Sequence, residues 1–318
     1  MITFRYHIVS IVAVFLALAT GVALGAGPLK GPVDDGLAAQ AEQDRQDKMD
    51  LRGEIATLER TDDFDAAFTA QVAPSLVANR LAGRAISILV LPEADGDVAE
   101  QTRDMLTEAG ASLGPLVELT AELLDSRNKQ VIDELTVQLA DLPGVRFPAD
   151  ASTYDRAGTL LARALVTPAD AGSPPDDAAR TVLSTLRTAK LAVPEDDVAR
   201  RSSLLLILTG PRSGTDELAQ AQDAILVALA RALDERCDGV VVGGPPSAAR
   251  EGGPIAAVRD DGQTADLVST VDVLTAPSGQ VSAVFALAQQ ALGERGHYGA
   301  IGNTDGALAP LPGLTEDQ

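Results

Sequence analysis

The chain has 318 residues, 46% of them hydrophobic and 22% charged, the balance of a folded protein and not of a disordered one. Its 25 Lys and Arg stand against 46 Asp and Glu, a formal net charge of −21. That excludes a basic face for DNA or RNA and charge-driven docking on anionic lipid. A single Cys excludes an internal disulfide, and two His, three Met and no Trp leave few soft metal ligands and few stacking platforms.

Residues 1–7 are read as a cytoplasmic amino terminus and residues 8–27 as a transmembrane helix. Ile8 to Gly27 carries no charge, and at the helical rise twenty such residues span ~30 Å, the thickness of a bilayer core. Arg5 lies before it, and Asp34 and Asp35 follow Lys30 on the far side. The positive end faces the cytoplasm, so the rest of the chain is expected outside an inner (plasma) membrane. A cleaved signal peptide is the rival reading, with Ala23 and Gly25 as the small residues of its cleavage site. The apolar run exceeds the roughly 7–15 residues of a signal core, which favours a retained anchor. Ala13, Ala17, Gly21 and Gly25 recur every four residues. Such a small-residue stripe lets two helices approach closely in lipid, and it also arises by chance in an Ala-rich chain.

Residues 30–63 read as a helical, coiled-coil stalk. Leu37, Ala41, Asp44, Lys48, Leu51, Ile55, Leu58 and Asp62 follow alternating steps of four and three, the heptad spacing of a coiled coil. Leu37, Ala41, Leu51, Ile55 and Leu58 are the expected core, and Asp44 and Lys48 are misfits within it. A homodimer is expected from this pattern, with a single solvated helix as the bland alternative.

Residues 80–298 are expected to form an extracytoplasmic α/β domain. Ala85–Leu91 is a strand stopped by Pro92. Val98, Thr102, Met105, Leu106 and Ala109 line a helix that ends at Gly110. Leu113–Leu119 is a weaker strand. Leu124, Val131, Ile132, Leu135 and Leu139 mark one longer helix ended by Pro143-Gly144, and another helix covers Asp155–Val166. Residues 167–177, rich in Pro, Ala and Asp, form a loop between two halves. A helix follows at Asp177–Leu191, then the strand Ser203–Thr209 and a helix through Leu218, Ile225, Leu226, Leu229 and Leu233. Gly239–Val242, Ile255–Val258 and Val271–Leu274 read as strands. The last helix is expected to be capped by Ser278, stopped by Gly293 and packed through Val281, Val284, Phe285 and Leu292. Continuous apolar strands separated by helices indicate a mostly parallel sheet with helices on both faces. Residues 299–318, rich in Gly, Pro and Asp, read as a disordered tail.

Chemistry is sparse. Thr209-Gly210-Pro211-Arg212-Ser213-Gly214-Thr215 joins a strand to a helix, where backbone amides can hold an anion. It lacks the P-loop and dinucleotide spacings, so a capped turn is the stronger reading. Val242-Gly243-Gly244-Pro245-Pro246 reads as a tight loop. His7 and His297 show no partner for acid–base work, Cys237 reads as a lone buried thiol, and no nucleophile elbow or zinc-protease motif occurs. No catalytic or cofactor-binding residue is assigned, and no metal ligand is identified.

The stretch Met1–Gly27, with ITFRYHIVSIVAVFLALATGVALGAG, resembles the start of the mycobacterial copper transport protein family, MctB, and of its SteB-like actinobacterial cell-envelope members. The resemblance continues at Ala85–Gly110 and in Ser269–Gly299, through STVDV and the closing GHYG. The MctB resemblance implies a channel-like protein of the outer envelope serving copper efflux and homeostasis, and copper enters by this route alone; the residues themselves read as a membrane-anchored, non-enzymatic envelope protein. The SteB-like branch implies the alternative: a dimeric scaffold with a SteA-like membrane-associated partner or cell-wall hydrolase machinery, acting on peptidoglycan hydrolysis and cell separation. An outer-membrane barrel needs ~10-residue alternating strands, which the short apolar runs here do not supply.

Overall fold

The computed structural model describes residues 4–25, 31–195, 198–211 and 217–310. It comprises two compact units, residues 1–65 and residues 66–318.

The first unit holds α1 (Phe4–Gly25) and most of α2 (Gly31–Val77). α1 carries the apolar run, and Arg5–Ala23 is long and apolar enough to cross a membrane, with a mean hydropathy of 2.1. The helix is described as far as Gly25, and residues 26 and 27 of the expected 8–27 span lie outside the described residues. The Thr20 hydroxyl is satisfied within the helix, with Leu16 O and Ala17 O as its acceptors. α2 does not end near residue 63 but continues through Pro74 to Val77. Its last turns belong to the second unit, where Ala73 and Val77 are fully buried.

The second unit is an α/β layer structure. In chain order it contains β1 (Ala85–Val90), α3 (Gly96–Glu108), β2 (Ser112–Leu119), α4 (Ala121–Leu124), α5 (Lys129–Gln138), α6 (Thr153–Leu165), α7 (Asp177–Thr188), β3 (Ala192–Pro194), β4 (Leu204–Leu208), α8 (Glu217–Asp234), β5 (Gly239–Gly243), α9 (Pro254–Asp260), α10 (Gly262–Ala265), β6 (Ser269–Val271), α11 (Pro277–Gln290) and β7 (His297–Tyr298). The sheet order is β3-β2-β1-β4-β5-β6-β7. Every neighbouring pair is parallel except β2 and β3.

β1, β4 and β5 are buried at every residue. Because side chains alternate across a strand, Leu89, Leu205, Ile207, Val240 and Val242 serve one face with α5, α6 and α8. Ile86, Ile88, Val90, Leu204, Leu206 and Leu208 serve the other with α3, α11 and the end of α2. α11 is buried around its whole girth from Gly279 to Gln290.

Several elements differ from the sequence expectations. Ile255–Val258 is not a strand but the centre of α9, whose Pro254 sits in the first turn after Gly253; a four-residue apolar run has no period of its own. The single helix expected around Leu124–Leu139 is broken after α4, because Asp125 accepts from Arg127 N and starts a new turn, and Val131 points outward. α11 is not capped by Ser278: its cap residue is Ala276, with Pro277 opening the helix. Leu292 and Leu218 are exposed, not packed. β3 went unread, being three residues long. Residues 299–310 do not form a free tail. Gly299 N donates to Gly306 O, Gln289 Nε2 donates to Pro310 O, and Ala309 is buried.

α6 packs closely on α8 at Gly158, where an added Cβ would lie 2.7 Å from Ala232 Cβ and 3.3 Å from Leu229 O. Gly158→Ala is therefore expected to destabilise the full chain by about 1–3 kcal/mol through overpacking. Urea unfolding of detergent-solubilised protein measures it, and an unchanged midpoint would refute the close approach.

Candidate functional site

The chain runs from β1 outward to β2 and β3, then returns to β4 on the other side of β1. That reversal opens a crevice at the carboxyl ends of the strands, the usual ligand position in such sheets. A cavity of about 210 Å³ lies there, lined by Val98, Leu208, Thr209, Pro211, Pro245 and Leu274. A smaller one of about 60 Å³ is lined by Leu91, Leu124, Pro211, Leu226 and Pro254.

The loops around the crevice meet backbone to backbone. Glu93 adopts a left-handed φ of 66°, and a Cβ on Gly210 would strike the Glu93 carbonyl. Gly244 N donates to Val271 O at 3.0 Å, and a Cβ there would strike the Thr209 hydroxyl. The glycines of the Val242–Pro246 segment thus shape a close loop. Arg212, Ser213, Gly214 and Thr215 of the expected anion loop lie outside the described residues. Asp95, at the rim, accepts from Asp97 N at 2.9 Å and starts α3. The described walls are mostly apolar and bring no acid–base pair together.

A buried polar cluster lies at the β6–β7 edge, and no local pattern of residues marks it. Asp272 is fully buried and the Arg259 side chain is 7% exposed, with Nη1 3.0 Å from Oδ2. Arg259 also donates to Thr270 Oγ1, Ile301 O and Tyr298 O. Asp272 accepts from Ala300 N at 2.7 Å and Ile301 N at 3.2 Å. Gly299, at φ 137°, lies so near Asp272 that a Cβ would strike its carboxylate. The STVDV and GHYG segments, far apart in sequence, pair here as β6 and β7.

The soft donors are dispersed. Met105 is buried in α3, and Met49 is exposed on α2. His297 Nδ1 lies 3.0 Å from Thr270 Oγ1; burial, then the Arg259 charge, holds its imidazole below the usual range. Cys237 Sγ donates to Gly239 O at 3.4 Å, and burial pushes the thiol up, away from the reactive thiolate. Beside it, burial raises the Asp234 carboxyl to about 6, partly offset by a hydrogen bond from Val240 N. Among the described residues no group of three or more His, Cys, Asp and Glu is arranged to hold a metal ion.

The remaining sequence candidates lie on the first two helices. Ala13, Ala17, Gly21 and Gly25 fall on α1, and Leu37, Ala41, Leu51, Ile55 and Leu58 fall on α2. Leu51, Ile55 and Leu58 are 57%, 53% and 63% exposed.

These features define an α/β-domain protein with one amino-terminal helix compatible with membrane anchoring. The family model described as "Copper transport outer membrane protein, MctB" matches residues 1–310, and the chain belongs to that family. It is 30% identical over 323 residues to the protein named Copper transporter MctB of Mycobacterium tuberculosis strain ATCC 25618 / H37Rv, covering 97% of this chain and 98% of that one. The same figures hold for the Copper transporter MctB of Mycobacterium bovis. That of Mycobacterium leprae is 29% identical over 327 residues, with the same shares covered.

Two substitutions test the polar groups. Arg259→Met leaves the Asp272 carboxylate buried without its counter-charge, and is expected to cost about 3–5 kcal/mol; equilibrium urea unfolding at pH 7.5 reads it. Asp234→Asn acts in the opposite sense. The folded carboxyl titrates near 6 and the ordinary one near 3.8, so above pH 6 the wild type bears the full burden of an ionised buried group. The Asn variant is expected to be the more stable at pH 7.5, with its advantage shrinking as pH falls from 6 towards 4. A gain that persists at pH 4 would refute the assignment.

Proposed function

We propose that this chain acts in copper transport or homeostasis as a membrane-anchored, non-catalytic envelope protein. The observation that carries the reading is the family match across residues 1–310, joined by relatives named as copper transporters over 97% of the chain. Those names favour copper over the cell-separation role of the alternative reading.

In this reading α1 stays in the plasma membrane with Arg5 on the cytoplasmic side, and the α/β domain works outside. The exposed apolar surface of α1 supports this, since every residue from Arg5 to Ala23 is open in the folded chain and water is a poor solvent for such a surface. α2 serves as a paired, coiled-coil stalk. Copper is cargo here, and the described residues offer it no preformed chelate.

Deleting the gene is expected to raise cell-associated copper and copper sensitivity, measured by elemental analysis and growth in graded copper. Complementation by the full chain should reverse both. Unchanged copper content in the deletion strain would overturn the reading. The anchor is checked separately: mature protein in the medium, trimmed after Gly25, would show a cleaved leader.

A further inference from the structure

We infer that the crevice at the carboxyl ends of β1, β4, β5 and β6 binds a small organic molecule: an apolar body about one ring in size, with one hydrogen-bond-donating head, an amine or a hydroxyl. The inference concerns an organic ligand and stands independently of the copper reading.

Four observations carry it. The first is size. The cavity of about 210 Å³ forms where the four strands end, at Ala94, Leu208, Gly244 and Leu274. A void of ~150 Å³ with apolar walls holds benzene, whereas drug-sized ligands fill roughly 300–1,000 Å³. The space here suits one ring with a short substituent. The second observation is the wall. Leu208 and Leu274 are buried, and Val98 and Pro245 extend the apolar surface. Apolar side chains around an empty space lack contacts on one side, and an apolar body placed there supplies them. The third is the polarity of the remaining groups, which are chiefly acceptors. The Thr209 hydroxyl donates to Gly243 O at 3.4 Å, so it turns lone pairs to the space. The amides of Ala94, Thr209, Gly244 and Leu274 are spent on carbonyls of the protein, and Pro211 and Pro245 have no amide proton. Asp95 stands at the rim with Oδ1 on Asp97 N, and among the described residues its carboxylate has no ion pair. No Lys or Arg is among the described residues that line the space. An anionic ligand meets repulsion from Asp95, while an ammonium or a hydroxyl meets acceptors. The fourth observation is that the shape is fixed in advance. Gly210 lies against the Glu93 carbonyl and Gly244 against the Thr209 hydroxyl, so closely that neither position admits a Cβ. Glu93 holds its left-handed φ of 66° at this contact, a costly conformation of the kind that gathers at binding sites. A preformed cavity loses little ordering entropy when it is filled.

The test uses the full chain in detergent, with benzylamine, benzyl alcohol and benzoate as probes of similar size. Saturation-transfer NMR, read against detergent alone, follows their binding. Benzylamine and benzyl alcohol are expected to bind saturably, and benzoate at least ten times more weakly. Val98→Trp fills the space from α3 and should abolish binding, with thermal unfolding of the same sample as the check that the variant is folded. Asp95→Asn keeps the helix cap, because asparagine caps as well as aspartate. It should weaken benzylamine several-fold and leave benzyl alcohol within about two-fold, and it reads the same site should Val98→Trp fail to fold. Absence of saturable binding above the detergent blank would overturn the inference, as would wild-type binding by folded Val98→Trp. Benzoate binding as tightly as benzylamine, or benzylamine unmoved by Asp95→Asn, would overturn the ligand class.

Discussion

A strand without a single exposed residue needs cover on both faces, and this constraint organises the α/β unit. β1, β4 and β5 meet it through two helical layers, with α5, α6 and α8 on one side and α3, α11 and the end of α2 on the other. The layers consume the apolar faces of those helices, so the unit keeps few large apolar side chains for its surface. What remains exposed and aliphatic is concentrated on α1 and along α2. The exposed apolar surface of α1 is compatible with a membrane anchor.

The edge of the sheet is secured differently. β6 and β7 are three and two residues long, too short for ladder bonds alone to hold an edge. The Arg259 guanidinium and the Asp272 carboxylate supply the missing connections. Between them they engage Thr270, Tyr298, Ala300 and Ile301. A buried pair of this kind adds little net stability over an apolar substitute, but leaving either charge alone is costly. Its value is to specify one path for the chain after β7, which then lies over α11 through Gln289 and Ser282.

Legibility in the sequence followed the range of the forces involved. Ala85–Leu91 and Ser203–Thr209 were readable because a fully buried strand writes itself as an unbroken apolar run. α1 was readable because lipid demands length and absence of charge. Ile255–Val258 misled because four apolar residues fit a strand or a helix equally; the Gly253-Pro254 start was the local signal for the helix. The order of residues 299–310 was invisible because it rests on Asp272, Gln289 and other groups far away in sequence. The Arg259–Asp272 cluster was hidden for the same reason, although the resemblance in STVDV and GHYG marked both strands it joins. The heptads on α2 were legible in spacing, and the structure places Leu51, Ile55 and Leu58 exposed along that helix.

The fold also limits how such a chain can take part in moving a metal ion. The described sheet is open, with β3 and β7 at its edges, and its strands are buried between helices, so they enclose no lumen of the kind an outer-membrane barrel provides. One apolar helix cannot enclose a path either, and the residues from Ile8 to Ala23 carry no ionisable side chain to conduct a cation. Conduction therefore requires helices from other chains around α1.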